Sequence, residues 1–272
     1  MDSFEGKRIF ITGGSSGIGL AIARRLASLG ADLLLLARDT VKLEEARAAV
    51  DGGRGGGGRT AALKLDVSDN AMTQEVIDRA VREFGPPDIL INRAGIGSAD
   101  YFENISYDEF DRVMKINLYG TRNAIAAALP YLKKTKGSIV IISSMAGFLG
   151  MFGYTAYATS KFALVGFSEC LRSEVKRHGI RVQLACPPET DTPFLVEESK
   201  TIPPEARAVK DMVGLLKPDY VARFIVRGMA RGRYLIMPGF NARFLYLLNR
   251  FVPGWVSRMI SDSTVARAAK KK

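Results

Sequence analysis

At 272 residues with 47% hydrophobic content, the chain has the size and apolar content of one α/β domain, and no run reaches the roughly 18 unbroken apolar residues of a membrane span. Two cysteines exclude a disulfide framework and a single histidine, His178, gives no metal-ligand cluster; Cys170 and Cys186 lie in apolar-patterned segments and read as reduced core thiols of a cytoplasmic protein. The formal net charge of +11 comes without a nucleic-acid recognition motif, which leaves a phosphorylated cofactor and an anionic membrane surface as the partners to look for.

The N-terminus has no basic region before an apolar stretch, so no secretory signal is expected. A strand from Lys7 to Thr12 runs into Gly13-Gly14-Ser15-Ser16-Gly17-Ile18-Gly19 and a helix from Leu20 to Leu29. Strand, glycine loop and helix start together are a dinucleotide-binding context. The loop lets the backbone approach a pyrophosphate, and the helix N-terminus offers it free N–H groups. Gly13, Ser15, Ser16, Gly17 and Ile18 are therefore candidate cofactor contacts.

A second buried strand, Ala31 to Ala37, ends at Arg38. An acidic side chain at such a tip accepts from a ribose 2′-hydroxyl, whereas an arginine accommodates a 2′-phosphate. Arg38 comes first and Lys42 lies one helical turn on, so both point to NADP(H). Asp39 is adjacent, and Arg38 also reads as a solvated loop charge. Residues 51–58 form a glycine-rich flexible loop. The third strand, Arg59 to Leu65, leads to Asp66 and Val67, where Asp66 can accept from an adenine amino group. Ser68-Asp69 caps a helix that runs to Phe84 and stops at Gly85-Pro86-Pro87.

The fourth strand, Asp88 to Asn92, opens into Asn92-Arg93-Ala94-Gly95. Ser106 and Glu109 have capping-box spacing at the start of a long helix. Asn117 inside that helix is mildly unfavourable, and is either a site residue or a solvent-facing asparagine. The apolar run 137–142 is a buried fifth strand with Ser144 at its end, where ligands meet parallel sheets. Thirteen residues on stands Tyr157, and Lys161 shares its helix face. An unperturbed tyrosine titrates near ~10, so a neighbouring ammonium is expected to lower that value and favour the phenolate.

His178, before Gly179, reads as a helix C-terminal residue. Strand six, Arg181 to Cys186, is ended by Pro187-Pro188. The following segment, with Pro193, Pro203 and Pro204, reads as an irregular substrate lid over 188–217. A helix from Pro218 to Ala230 and a strand from Arg233 to Met237 close the sheet. The expected division is thus a domain over 1–238 and a basic amphipathic helical extension over 239–272. In the extension Phe240, Phe244, Leu247, Phe251, Trp255 and Met259 alternate with arginines before Lys270-Lys271-Lys272, and Pro253-Gly254 breaks it in two. Such a segment either pairs subunits or lies peripherally in a membrane interface.

Taken together, Thr12-Gly13-x3-Gly17-Ile18-Gly19, Asn92-x-Ala94-Gly95, Asn117, Ser144 and Tyr157-x3-Lys161 resemble the short-chain dehydrogenase/reductase family in order and spacing. The resemblance implies a single-domain Rossmann fold with a doubly wound, seven-stranded parallel sheet, a homo-oligomer, and no metal. It implies a catalytic tetrad of Asn117, Ser144, Tyr157 and Lys161, and adds Asn92, Ala94, Gly95, Pro187, Thr190 and Thr192, with Tyr157 and Lys161 again, to the cofactor contacts. The implied reaction is ketone reduction by hydride from NADPH. Tyr157 protonates the oxygen, Ser144 orients it, Lys161 holds the nicotinamide ribose and lowers the tyrosine pKa, and Asn117 supports a proton-relaying water. Arg93 departs from the pattern, standing where the family commonly has a second asparagine. Within the family, Pro187-Pro188-Glu189-Thr190-Asp191-Thr192-Pro193 and the run 146–157 are similar to the branch that reduces the long-chain lipid ketone 3-ketodihydrosphingosine. Eukaryotic members of that branch carry an N-terminal membrane segment that has no counterpart in this sequence. Two other readings stay open: a reductase of another hydrophobic ketone or 3-oxoacyl thioester, and a non-catalytic NADP-binding sensor or scaffold.

Overall fold

The structure, a computed structural model, describes residues 4–211, 214–251 and 254–269. Seven parallel strands form one sheet in the order β3-β2-β1-β4-β5-β6-β7. They are β1 (Arg8–Thr12), β2 (Asp32–Ala37), β3 (Thr60–Lys64), β4 (Ile89–Asn92), β5 (Ser138–Ile142), β6 (Arg181–Ala185) and β7 (Leu235–Ile236). The order reverses direction between β1 and β4, and Thr12 stands level with both Leu36 and Asn92. Their carboxyl ends therefore open on one crevice, which is where ligands enter sheets of this kind.

The inner strands are buried on both faces, and this is why the sequence shows continuous apolar runs rather than alternation. Phe10, Leu34, Leu90 and Ile139 face one core, with α3 (Asn70–Phe84), α5 (Gly120–Thr135) and α6 (Thr155–Val175). Ile9, Ile11, Leu33 and Leu35 face the other, with α1 (Gly17–Ala27), α2 (Thr40–Gly52) and α9 (Pro218–Ala230). Ile22 and Leu26 of α1 have no exposed surface, and a fully buried side chain of this size contributes about 1.5–3 kcal/mol.

The sequence reading is corrected at several points. Helix α1 begins at Gly17, inside the glycine loop, rather than at Leu20. Strand β7 is two residues long, because its partner β6 pairs only through Leu184 and Ala185. The Ser106 side chain accepts from the Glu109 N–H and so caps α4 (Tyr107–Met114), but Glu109 bonds Arg112 rather than returning to Ser106. Cys186 is buried, whereas Cys170 is exposed, since it falls on the outer side of α6. The lid is not irregular: it holds α7 (Pro193–Glu198) and α8 (Pro204–Asp211), and a Thr190–Leu216 bridge joins its two ends.

Two helices follow β7, α10 (Phe240–Phe251) and α11 (Gly254–Ala269). Helix α10 turns Ala242, Leu245 and Tyr246 toward the core, where Tyr246 packs edge-on to Phe148 with ring centroids 4.9 Å apart. Its opposite face leaves Phe240, Phe244, Leu247 and Phe251 exposed. Helix α11 packs on α8 of the lid. Pro253 and Lys270 to Lys272 lie outside the described residues, as do Met212 and Val213 of the lid. Among the described residues no helix is long and apolar enough to cross a membrane.

Candidate functional site

The site lies at the carboxyl ends of β1, β4 and β5. Thr12, the last residue of β1, accepts through Oγ1 from the N–H groups of Arg93 and Ala94, each at 3.2 Å. That pair of bonds draws the loop after β4 against the glycine loop. A Cβ at Gly19 would collide with the Gly13 carbonyl oxygen, so the turn closes only around glycine. Gly17 adopts φ +52°, and Ser16 precedes α1 without capping it through its side chain. The first N–H groups of the helix thus meet no side-chain cap, and the cradle fits a pyrophosphate.

At the tip of β2, Asp39 is engaged locally. Its Oδ1 accepts from Lys42 N at 3.1 Å and caps α2. Arg38 is exposed, and Lys42 is exposed beside it, its Nζ 3.8 Å from Asp39. The residue that would select a 2′-hydroxyl is therefore engaged as a cap, and the Arg38 cation is left exposed. At the tip of β3 Asp66 turns back on Ser68, accepting from its N–H and hydroxyl through Oδ1, so only its second oxygen is available outward. Val67 is buried, and its carbonyl accepts from Asn123. Asn92 is buried with neither amide atom bonded, a feature for which the surrounding geometry gives no reason.

Ser144, Tyr157, Lys161, Gly95, Ile18, Pro187, Thr190 and Thr192 line one cavity. Tyr157 and Lys161 sit in the first two turns of α6, and the Lys161 ammonium lies 5.5 Å from the Tyr157 ring centroid. Lys161 Nζ also reaches the Ile142 carbonyl at 3.4 Å, and Ser143 Oγ donates to the Lys161 carbonyl at 3.0 Å. These bonds tie α6 to the end of β5. Asn117 does not line the cavity. It stands behind it, buried in a π-helical turn (Lys115–Tyr119) that joins α4 to α5. Its Oδ1 accepts from Ile96 N–H at 2.8 Å, and its Nδ2 donates to the Ile96 carbonyl at 3.0 Å and to Ser160 Oγ at 2.9 Å. Ser160 in turn donates to the Tyr157 carbonyl. The mid-helix asparagine is thus neither solvent-facing nor free: it clamps the Ile96 loop to the turn that carries Tyr157.

The electrostatics differ from the sequence expectation. Burial pushes Tyr157 up to about 12, while hydrogen bonding from Ser144 and the charge of Arg93 pull the other way. Burial, then Arg93, bring Lys161 down to about 8. The tyrosine is therefore held neutral, and the cation acting on it is Arg93 rather than Lys161. Arg93 lines the cavity, and a Cβ at Gly17 would lie 3.2 Å from its guanidinium and 3.0 Å from Thr192 Cγ2. Sequence reading noted Arg93 only as a departure and did not place it in the site. It also missed Tyr154, Glu189, Glu198 and Lys210, which form the lid side of the cavity with Met145, Met151 and Phe194. No group of metal-ligating side chains occurs among the described residues.

This arrangement, a buried neutral tyrosine and a serine facing a dinucleotide cradle, is that of a carbonyl oxidoreductase. The chain belongs to the short chain dehydrogenase family, whose model matches residues 7–203, and it is an oxidoreductase acting between CH–OH and ketone. Over 233 residues, 85% of this chain and 70% of the relative, it is 38% identical to the 3-dehydrosphinganine reductase of Danio rerio. It is similar in structure to a short chain dehydrogenase/reductase from Burkholderia phymatum in complex with NAD, with TM-score 0.81 and 25% identity over 92% of this chain and 95% of that one. An alcohol dehydrogenase from the archaeon Thermococcus sibiricus complexed with 5-hydroxy-NADP gives TM-score 0.74 and 28% identity over 86% and 96%.

Proposed function

We propose that the protein reduces 3-ketodihydrosphingosine to dihydrosphingosine with NADPH, a step of sphingolipid synthesis. The observation that carries this reading is the Tyr157 hydroxyl, held protonated beside Ser144 in a cavity that Met145, Met151 and Phe194 also line. Similarity to 3-dehydrosphinganine reductases supports the substrate class. The two structural neighbours hold different dinucleotides, so they do not choose the cofactor. Arg38 and Lys42 do, because Asp39 is committed to capping α2.

When bound, the nicotinamide supplies the hydride. Tyr157 gives its proton to the carbonyl oxygen as that oxygen gains charge. Ser144 donates a hydrogen bond to the same oxygen and fixes its position. Lys161 holds the ribose, and Arg93 stabilises negative charge on the tyrosine oxygen after transfer. General acid assistance of this kind contributes about 10²–10⁴ in rate. The catalytic unit is read as 1–238. The extension over 239–272 is read as a peripheral contact with an anionic membrane face on the cytoplasmic side, on the strength of the exposed Phe240, Phe244, Leu247 and Phe251 stripe flanked by Arg243 and Arg250.

The test is NADPH oxidation, followed optically, with and without the sphingoid ketone, for the wild type and Tyr157→Phe. The wild type is expected to turn over. The variant is expected to lose about 100-fold or more while still binding NADPH, since only the proton donor is removed. Retention of more than about a tenth of the activity overturns the role given to Tyr157.

A further inference from the structure

The lid side of the cavity carries charge that the reduction chemistry does not use. Glu198, at the end of α7, is buried and lines the cavity. Lys210 of α8, also buried, pairs with Glu198, and lies 2.8 Å from Glu189 Oε1 in the strand-end loop. Two carboxylates and one ammonium leave one negative charge uncompensated among the described residues. Arg207 borders the outer side of this cluster but is exposed, where water screens it. A second feature points the same way. Tyr154 is 2% exposed and lines the cavity; its hydroxyl lies near enough to Glu198 for that carboxylate, after burial, to raise its pKa, yet it closes no hydrogen bond of standard geometry. Its ring lies 5.7 Å from the Lys210 ammonium. A buried hydroxyl left unbonded normally costs about 1–3 kcal/mol unless a ligand completes it.

A lid latch alone explains neither feature. A latch needs the lysine between the two glutamates, but not a carboxylate turned to the cavity or an orphan hydroxyl next to it. The cavity is polarised: Arg93 and Lys161 stand on the cofactor side, Glu189 and Glu198 on the lid side. A cationic group on the substrate is repelled from the first and attracted by the second. In the substrate proposed above, the carbon bearing the ammonium is bonded to the carbonyl carbon. The ammonium must therefore lie close to the oxygen that Tyr157 serves. Glu198 is near enough to Tyr157 for its charge to raise the tyrosine pKa, so one carboxylate reaches that neighbourhood.

We propose that Glu198 and Glu189, held in place by Lys210, form an ammonium subsite in which the substrate's amino group is read, with the Tyr154 hydroxyl oxygen as an additional acceptor. This rests on the reading of the protein as a reductase of an amino ketone and names how the amine is selected. The subsite adds no covalent step. It sets which ketone is held with its carbonyl at Tyr157.

The experiment compares kcat/KM for the sphingoid amino ketone and for the same hydroxy ketone lacking nitrogen, with NADPH saturating. In the wild type the amino compound is expected to lead by about tenfold or more, the scale of a charge-assisted hydrogen bond. Glu198→Gln keeps the shape and removes the charge, and is expected to bring the ratio close to one, mainly by raising KM for the amino compound. Glu189→Gln gives a second reading of the same ratio should the first variant fold poorly, and thermal melts with NADPH present check folding in both. Equal losses on the two ketones in both variants show a latch only and overturn the subsite. If the wild type reduces both ketones alike, the subsite falls and the reductase assignment stands. If it reduces neither, the proposed function falls and the subsite with it.

Discussion

Replacing Asn117 by alanine removes one acceptor and two donors from inside the fold. The Ile96 N–H and carbonyl lose partners at 2.8 and 3.0 Å, and Ser160 Oγ loses a donor at 2.9 Å. Each lost bond costs about 0.5–1.5 kcal/mol net, and a stranded buried group about 1–3 kcal/mol. Ser160 keeps its own bond to the Tyr157 carbonyl. Summing over three bonds in one connected network gives about 3 kcal/mol, or a fall in Tm of about 6 °C for a domain of this size. The Ile96 loop continues from Ala94 and Gly95, so NADPH affinity is expected to fall with stability. Urea unfolding by circular dichroism and NADPH fluorescence titration, run on the same preparations, measure both. Asn117→Asp keeps the acceptor and sets a carboxylate against the Ile96 carbonyl, and it is expected to destabilise as much as alanine. Asn117→Ala with wild-type activity lost, but with stability within about 0.5 kcal/mol of wild type and unchanged cofactor affinity, refutes the clamp. That outcome would instead favour the water-supporting role that the family resemblance implies.

Arg38→Ala is expected to weaken NADPH binding by about 10- to 100-fold, with little change for NADH, because a charge-assisted contact to the 2′-phosphate is lost; equal losses for the two cofactors in calorimetric titration count against it. Lys161 is brought down to about 8 from 10.5, so it loses its charge as pH rises through about 8, and kcat/KM for ketone reduction should fall above that pH. The same shift costs the fold stability, in full below about 8, and the cost is relieved as pH rises from about 8 to 10.5, where the unfolded chain still binds the proton that the native lysine has released; a pH–rate profile flat up to 10.5 removes the role given to the ammonium. The full chain should float with phosphatidylglycerol vesicles at low salt, and replacing Phe240, Phe244 and Phe251 by serine should leave it in the soluble fraction. Wild-type protein that stays soluble would return the exposed stripe to a subunit contact.

The sheet was legible because parallel strands buried on both faces leave apolar runs that end at glycine, proline or a site residue. Phe10, Leu34 and Ile139 mark such runs, and their ends at Thr12, Arg38 and Ser144 are where the site begins. The lid was misread through its prolines. Pro193 and Pro204 are the first residues of α7 and α8, the position where a missing N–H costs a helix nothing, yet in sequence they look like breakers. Because those helices were not seen, Glu198 and Lys210 had no common address, although they sit 12 residues apart and pair across the lid. Asn117 was flagged by its poor propensity, but its partners Ile96 and Ser160 are 21 and 43 residues away, and only the fold brings them to it. Cys170 failed for the opposite reason: α6 is long enough to be apolar on average, and averages do not say which side faces out.

The protonation of Tyr157 bears on the direction in which the site is poised. At a pKa of about 12 only about one molecule in 10⁵ carries the phenolate at neutral pH, so the resting site holds the proton that ketone reduction consumes. Alcohol oxidation must first remove that proton, and its rate should climb with pH over the range where reduction is level, below the pKa of about 8 at which Lys161 discharges. Burial sets this poise, and one lid carboxylate reinforces it: the charge of Glu198 raises Tyr157 further, while Arg93 opposes it. An ammonium placed against Glu198 would cancel part of that push. The tyrosine would then release its proton more readily with an amino ketone in the cavity than in the free enzyme. Substrate charge and donor acidity are in this way linked through one carboxylate, without a base of its own in the site and without any motion beyond seating the substrate.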